Sequence, residues 1–149
     1  DDDWATADNW STNILPTVTG VATIYTAADV VVSGTQTVGR VNVGSASVVG
    51  DSSVTISSGG TLTFNTGSNY RLRQIWGGSG GTGTSTINVT GGTLNAYDGV
   101  DVGGGELGQD AAFNVTGGGT ATITNGNFDY TSTTALTPGG LRTVLVDGA

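Results

Sequence analysis

Four carboxylates crowd one glycine-rich stretch of this chain: Asp98, Asp101, Glu106 and Asp110. Calcium takes about six to eight oxygens, and glycine corners can add backbone carbonyls to such side chains. Calcium is therefore the one cofactor the sequence suggests, at these four residues. The spacing does not match a nonapeptide calcium turn, and the cluster occurs once, so a solvated acidic edge is the plainer reading. Paired carboxylates can also carry acid–base chemistry on polysaccharides. Such sites recruit a cation beside the acids, and Arg71 with Arg73 is the only close basic pair.

Other chemistry is excluded by what is missing. The chain has no His, no Cys and no Met, and its four basic residues are all Arg. Triads, thiol nucleophiles, Ser–Lys dyads and Schiff bases are thereby ruled out. The run Gly77-Gly78-Ser79-Gly80-Gly81-Thr82-Gly83 has the glycine of a phosphate cradle but neither the following Lys nor a helix. The expectation is a protein that is not an enzyme.

A net charge of −8 opposes binding to nucleic acid and to anionic membrane, which need Lys or Arg against phosphate. No apolar run approaches the ~20 residues that span a bilayer. The lack of Met at position 1 suggests a chain that begins after a processing cut, with a secretory signal already removed.

The elements that must position any site are announced by a repeated phrase. It reads Val54-Thr55-Ile56-Ser57-Ser58-Gly59-Gly60-Thr61-Leu62, then Ile87-Asn88-Val89-Thr90-Gly91-Gly92-Thr93-Leu94, then Phe113-Asn114-Val115-Thr116-Gly117-Gly118-Gly119-Thr120-Ala121. Each copy is an alternating strand, a glycine corner and a second strand. Copies recur roughly every 30 residues, the mark of a stacked repeat. A further strand ending in glycine recurs as Val41-Asn42-Val43-Gly44, Gln74-Ile75-Trp76-Gly77 and Val100-Asp101-Val102-Gly103. Each unit is thus expected to hold three short strands. Ile87, Val89 and Leu94 should point inward and Asn88, Thr90 and Asn95 outward. Val38 to Val43 reads as one strand. No sustained 3.6-residue period occurs, so almost no helix is expected. The fold class is all-β, a single-stranded parallel β-solenoid with glycine corners.

Three regions follow. Residues 1–20, with Trp4, Trp10 and Pro16, read as a cap over the solenoid end. Residues 21–130 should form about four rungs, a rod only ~20 Å long at the strand spacing. Residues 131–149 hold Leu141-Arg142-Thr143-Val144-Leu145-Val146, which follows Pro138-Gly139-Gly140 and reads as a separate strand that has left the repeat. It reads as a final rung or C-terminal cap, or as a strand that pairs with a neighbouring molecule.

The order Trp4, Asp8-Asn9-Trp10, Pro16, Asp29-Val30-Val31-Val32, Val41-Asn42-Val43-Gly44 and the Gly-Gly-Thr copies resembles the passenger-associated repeats of autotransporter-type β-helices. Similar repeats occur in exported bacterial surface proteins that carry PEP-CTERM sorting tails. The resemblance covers roughly Trp4 to Phe128. It implies a right-handed parallel β-helix, secreted to the cell surface, with an adhesive, matrix or scaffold role. The chain departs from that group in being short and in carrying no translocator barrel or sorting tail.

The sequence supports a self-assembling, extracellular structural subunit that stacks head to tail through Trp4, Trp10, Leu141, Val144, Leu145 and Val146. The rival is an adhesin-type module that binds glycans through Trp76, Tyr70, Tyr97 and Tyr130. A third reading is a polysaccharide-acting enzyme. Thr120-Ala121-Thr122-Ile123-Thr124 resembles a flat ice-binding face, although threonine is also a good β-former in any ladder.

Overall fold

The computed structural model describes residues 2–25, 27–44, 50–66, 71–74, 83–102, 110–129 and 142–148. Among these residues fourteen short strands follow one another. They are β1 (Val21–Ile24), β2 (Asp29–Val32), β3 (Thr35–Val38), β4 (Arg40–Val43), β5 (Ser52–Ile56), β6 (Thr61–Phe64) and β7 (Leu72–Gln74). The rest are β8 (Thr84–Thr90), β9 (Thr93–Ala96), β10 (Gly99–Asp101), β11 (Asp110–Thr116), β12 (Thr120–Ile123), β13 (Asn127–Asp129) and β14 (Arg142–Val146). The only helical turn among the described residues is a 3-10 turn at Ala7–Asn9.

Every third strand joins the same sheet. Sheet A runs β2-β5-β8-β11-β14, sheet B runs β1-β4-β7-β10-β13 and sheet C runs β3-β6-β9-β12. All pairings are parallel, each strand lying on its equivalent one turn earlier. This is an all-β parallel solenoid of four complete three-strand turns followed by β13 and β14. The last strand does not leave the repeat. Phe113 pairs with Val144 and Val115 with Val146, so β14 is the next rung of sheet A.

The register stacks like on like. Val54, Ile87 and Phe113 form one inward column, Ile56, Val89 and Val115 another, and Leu62 stands under Leu94. All are buried, and their outward neighbours alternate with them as period two requires. The sequence expectation of one strand from Val38 to Val43 fails at Gly39. There the chain turns from sheet C to sheet B, and a Cβ at Gly39 would sit 2.7 Å from the Gly20 carbonyl oxygen.

The core also holds a polar group. Gln74 is fully buried in the inward line of sheet B. Its side-chain amide donates to the carbonyls of Ser85 (2.9 Å) and Ala112 (2.8 Å). Ser85 in turn donates from its hydroxyl to the Val43 carbonyl at 2.8 Å. These bonds tie sheet B to sheet A across the interior and offset the desolvation of the amide N–H groups, while Gln74 Oε1 is buried with no hydrogen-bond partner among the described residues.

The repeated Gly-Gly pair has two separate jobs. Gly59, Gly91 and Gly118 take the left-handed conformation, with φ of 82°, 69° and 76°. Gly60, Gly92 and Gly119 instead press on the rung before them. A Cβ there would fall on the carbonyl oxygens of Val32, Ile56 and Val89 respectively. The two jobs predict different costs. Gly59→Ala meets no neighbouring atom and should lose about 1 kcal/mol through backbone strain alone. Gly92→Ala must push Ile56 away and should lose ~3 kcal/mol. Chemical denaturation of the two variants checks the order; equal losses would refute the second job.

Candidate functional site

The two ends of the coil differ from its middle. Among the described residues no further rung follows at the end of each inward column, and apolar side chains there are exposed. Phe128, Val144 and Val146 continue the columns of Val100, Phe113 and Val115. Val146 is 71% exposed, whereas Val115 beneath it is buried. Phe113 and Phe128 meet edge to face at 5.3 Å. Together with Val115, Ile123, Val144 and Val146 they line a mouth of about 450 Å³. Among the described residues β12, β13 and β14 each have a strand on one side only, which leaves backbone groups on the other.

The opposite end is partly closed by its own chain. Residues 2–4 lie along β2: the Val31 amide donates to the Asp2 carbonyl and the Trp4 amide donates to the Val31 carbonyl, both at 2.8 Å. Trp4 is 1% exposed and belongs to the core. Trp10 stacks edge-on against it at 4.9 Å and donates its indole N–H to the Trp4 carbonyl at 3.0 Å. Trp4 is therefore spent inside its own chain and offers nothing to a partner or a sugar. Beyond this plug Ile14, Val18 and Val21 are exposed. Ile14 and Val21 share a groove of about 380 Å³ with Trp10, Leu15 and Pro16.

The plug is fastened by Asp3. Its carboxylate accepts a short hydrogen bond from the Ser33 hydroxyl and another from the Ala5 amide at 2.8 Å. The Ser33 bond, then the Ala5 bond, hold the Asp3 carboxyl below the usual carboxylate range. A depressed folded-state pKa gives stability that is present above the unfolded value and is lost as pH falls through the folded one. The fastening should thus open below the ordinary Asp range. The near-ultraviolet Trp signal is expected to change in that window at constant far-ultraviolet signal. Asp3→Asn should abolish that pH step; a step of equal size in the variant would refute the assignment.

A second constellation lies on the outer face of sheet B. Register sets Asn42, Arg73 and Asp101 on successive rungs. Arg71 reaches Asp101 at 3.1 Å and Asp98 at 3.3 Å, and Arg73 Nε lies 3.3 Å from Asp101. Burial works against the Arg71 charge, but Asp101 and then Asp98 overcome it and raise its pKa. Burial, and then repulsion from Arg40, lower that of Arg73 despite Asp101. The arginines and acids that the sequence suggested separately are thus one ion-pair network. Asp101 serves two guanidiniums and is less exposed than Asp98. Asp101→Ala should cost ~2 kcal/mol and Asp98→Ala ~1 kcal/mol or less. Thermal melting of both checks this; the reverse order would show that Asp101 does not bridge.

The proposed calcium ligands are not all brought together. Asp98 and Asp101 hold Arg71, while Asp110 begins β11 in another sheet. No group of three metal-ligating side chains gathers among the described residues. Glu106 lies outside the described residues, as do Leu141, Tyr70, Trp76 and Tyr130. Tyr97 is half-buried just after β9. Val144 and Val146 line the mouth, while Leu145 points outward from sheet A in the column of Asn114. The end residues that sequence reasoning missed are Phe128, Ile14, Val18 and Val21. Phe128 was findable, because it continues the column of Val100.

Comparison with protein-family models, with curated proteins and with solved structures finds no match. No helix among the described residues is long and apolar enough to cross a membrane.

Proposed function

We propose that this chain is an extracellular structural subunit, without catalytic role, that lengthens end to end into a surface fibre or matrix. One observation carries the reading. Among the described residues, the exposed large hydrophobic side chains are Ile14, Val18 and Val21 near the first turn and Phe128, Val144, Leu145 and Val146 near the last. The described residues of the walls between expose none. Apolar surface gathered at two opposite ends supports a heterologous contact, which does not close and so extends. The acidic, cysteine-free composition and the likeness to exported surface repeats support a place outside the cell.

The test uses two variants, each spoiling one end: Ile14→Lys and Val146→Lys. Wild-type protein at high concentration should form filaments visible by electron microscopy. Each variant alone should stay monomeric in sedimentation. Mixed, they should form dimers and no larger species, because each supplies one intact end. Wild-type protein that stays monomeric, or variants that still polymerise, would overturn the reading.

A further inference from the structure

The outer face of sheet C differs from the other walls in kind. Its first column is Thr35, Thr61, Thr93 and Thr120, and its second is Thr37, Thr63, Asn95 and Thr122. Seven of these eight positions are threonine and none is charged. The equivalent columns of sheet A over four rungs are Asp29, Ser53, Thr86 and Ala112, and Val31, Thr55, Asn88 and Asn114. Only two of those eight are threonine. If β-propensity alone chose threonine, both walls would carry it alike. The enrichment belongs to one face.

That face is a regular two-dimensional array. Strand spacing sets one repeat at about 4.8 Å, and alternate residues along a strand set the other at about 6.6 Å. Both are of the order of the oxygen repeats on faces of hexagonal ice. Threonine is stiff at χ1, so neighbouring hydroxyls and methyls can share one orientation. The stacked turns keep the columns in register over all four rungs of the sheet. Asn95 extends the pattern by donating to Thr63 Oγ1 at 3.4 Å. Thr35, Thr37, Thr120 and Thr122 are exposed and the middle threonines are half-buried between their neighbours.

We infer that the threonine face of sheet C binds ordered water, and that its partner is an ice surface. A crystalline polysaccharide would call for a row of aromatic platforms, whereas the columns hold hydroxyls and methyls only, apart from one amide. The charged network lies on sheet B, so the threonine columns themselves hold no ion that would disrupt an ordered water layer. This inference does not rest on the fibre reading, since a single monomer carries the whole array.

Ice partitioning of the purified monomer tests it, at a concentration where sedimentation shows no assembly. The protein should be drawn into a slowly growing ice hemisphere rather than rejected from it, and should hold a seed crystal from growing just below the melting point. Thr61→Lys and Thr93→Lys should each abolish both effects. Thr86→Lys, on sheet A, should leave them intact. The pair Thr61→Ser with Thr93→Ser keeps the hydroxyls, loses the methyls that fix them, and should weaken partitioning with an unchanged circular dichroism spectrum. Folded wild-type protein that is excluded from ice would overturn the inference. So would equal loss in Thr86→Lys, or full activity in both lysine variants of sheet C.

Discussion

Everything in this molecule follows from one constraint: each strand must find its backbone partners on the turn before and the turn after. A parallel strand cannot be paired by a tight hairpin, so the chain travels a full turn before it meets its equivalent. That journey fixes the register. Once Ile87 stands between Val54 and Phe113, Ile56, Val89 and Val115 fall into line as well, and the buried Ser52 and Ser85 stack on each other in the next inward column. Long-range contacts therefore dominate, and no strand pair among the described residues is a local hairpin that could nucleate the fold.

The same constraint explains the second glycine of each corner. Rungs about 4.8 Å apart leave no room for a side chain where the backbone turns inward over the previous carbonyl. Gly60, Gly92 and Gly119 mark that place on three rungs. The interior also admits a polar side chain, Gln74, which bonds two carbonyls of other strands. Outside, the stacking turns scattered residues into columns. Asn88 donates to Thr55 and Asn114 donates to Asn88, a ladder that no local sequence window contains.

The sequence made the repeat legible because its inward positions are apolar and its corners are glycine. The strand pairs of the three phrase copies stand where alternation puts them, as do the third strands at Val41–Val43 and Val100–Asp101. In the middle unit the strand sought at Gln74-Ile75-Trp76 lies two residues earlier, at Leu72–Gln74, and Ile75 and Trp76 fall outside the described residues. What could not be read locally depends on phase between turns. Gly39 looked like an interior residue of a strand, because nothing nearby in sequence announces the Gly20 carbonyl that it must approach. Arg73 and Asp101 looked like separate clusters, although aligning Leu72 with Val100 places them side by side. The closing strand left more than one reading open, a final rung among them. Its proline-glycine lead suggested departure, while Val144 and Val146 fit the sheet A columns without interruption. The threonine wall was visible only as one short run until register assembled four such runs into a face.

The ends express the cost of stacking, and they resolve it differently. At the first turn the chain folds back and inserts Trp4, so the interior is filled and the remaining apolar groups sit on the rim. At the last turn the described residues leave Phe128, Val144 and Val146 open to solvent. A contact that matched mouth to mouth would be self-complementary and would stop at two copies. It would also bring β14 against its own image, with strands running in opposite senses across a structure that is otherwise parallel. A head-to-tail contact keeps the strand sense and continues the columns. Asp2 and Asp3 at one end and Asp147 at the other oppose that contact by like charge, and salt screens such repulsion while leaving apolar burial in place. The proposed assembly through these ends would therefore be favoured by rising ionic strength, as expected for acidic molecules joined by apolar surfaces rather than by ion pairs.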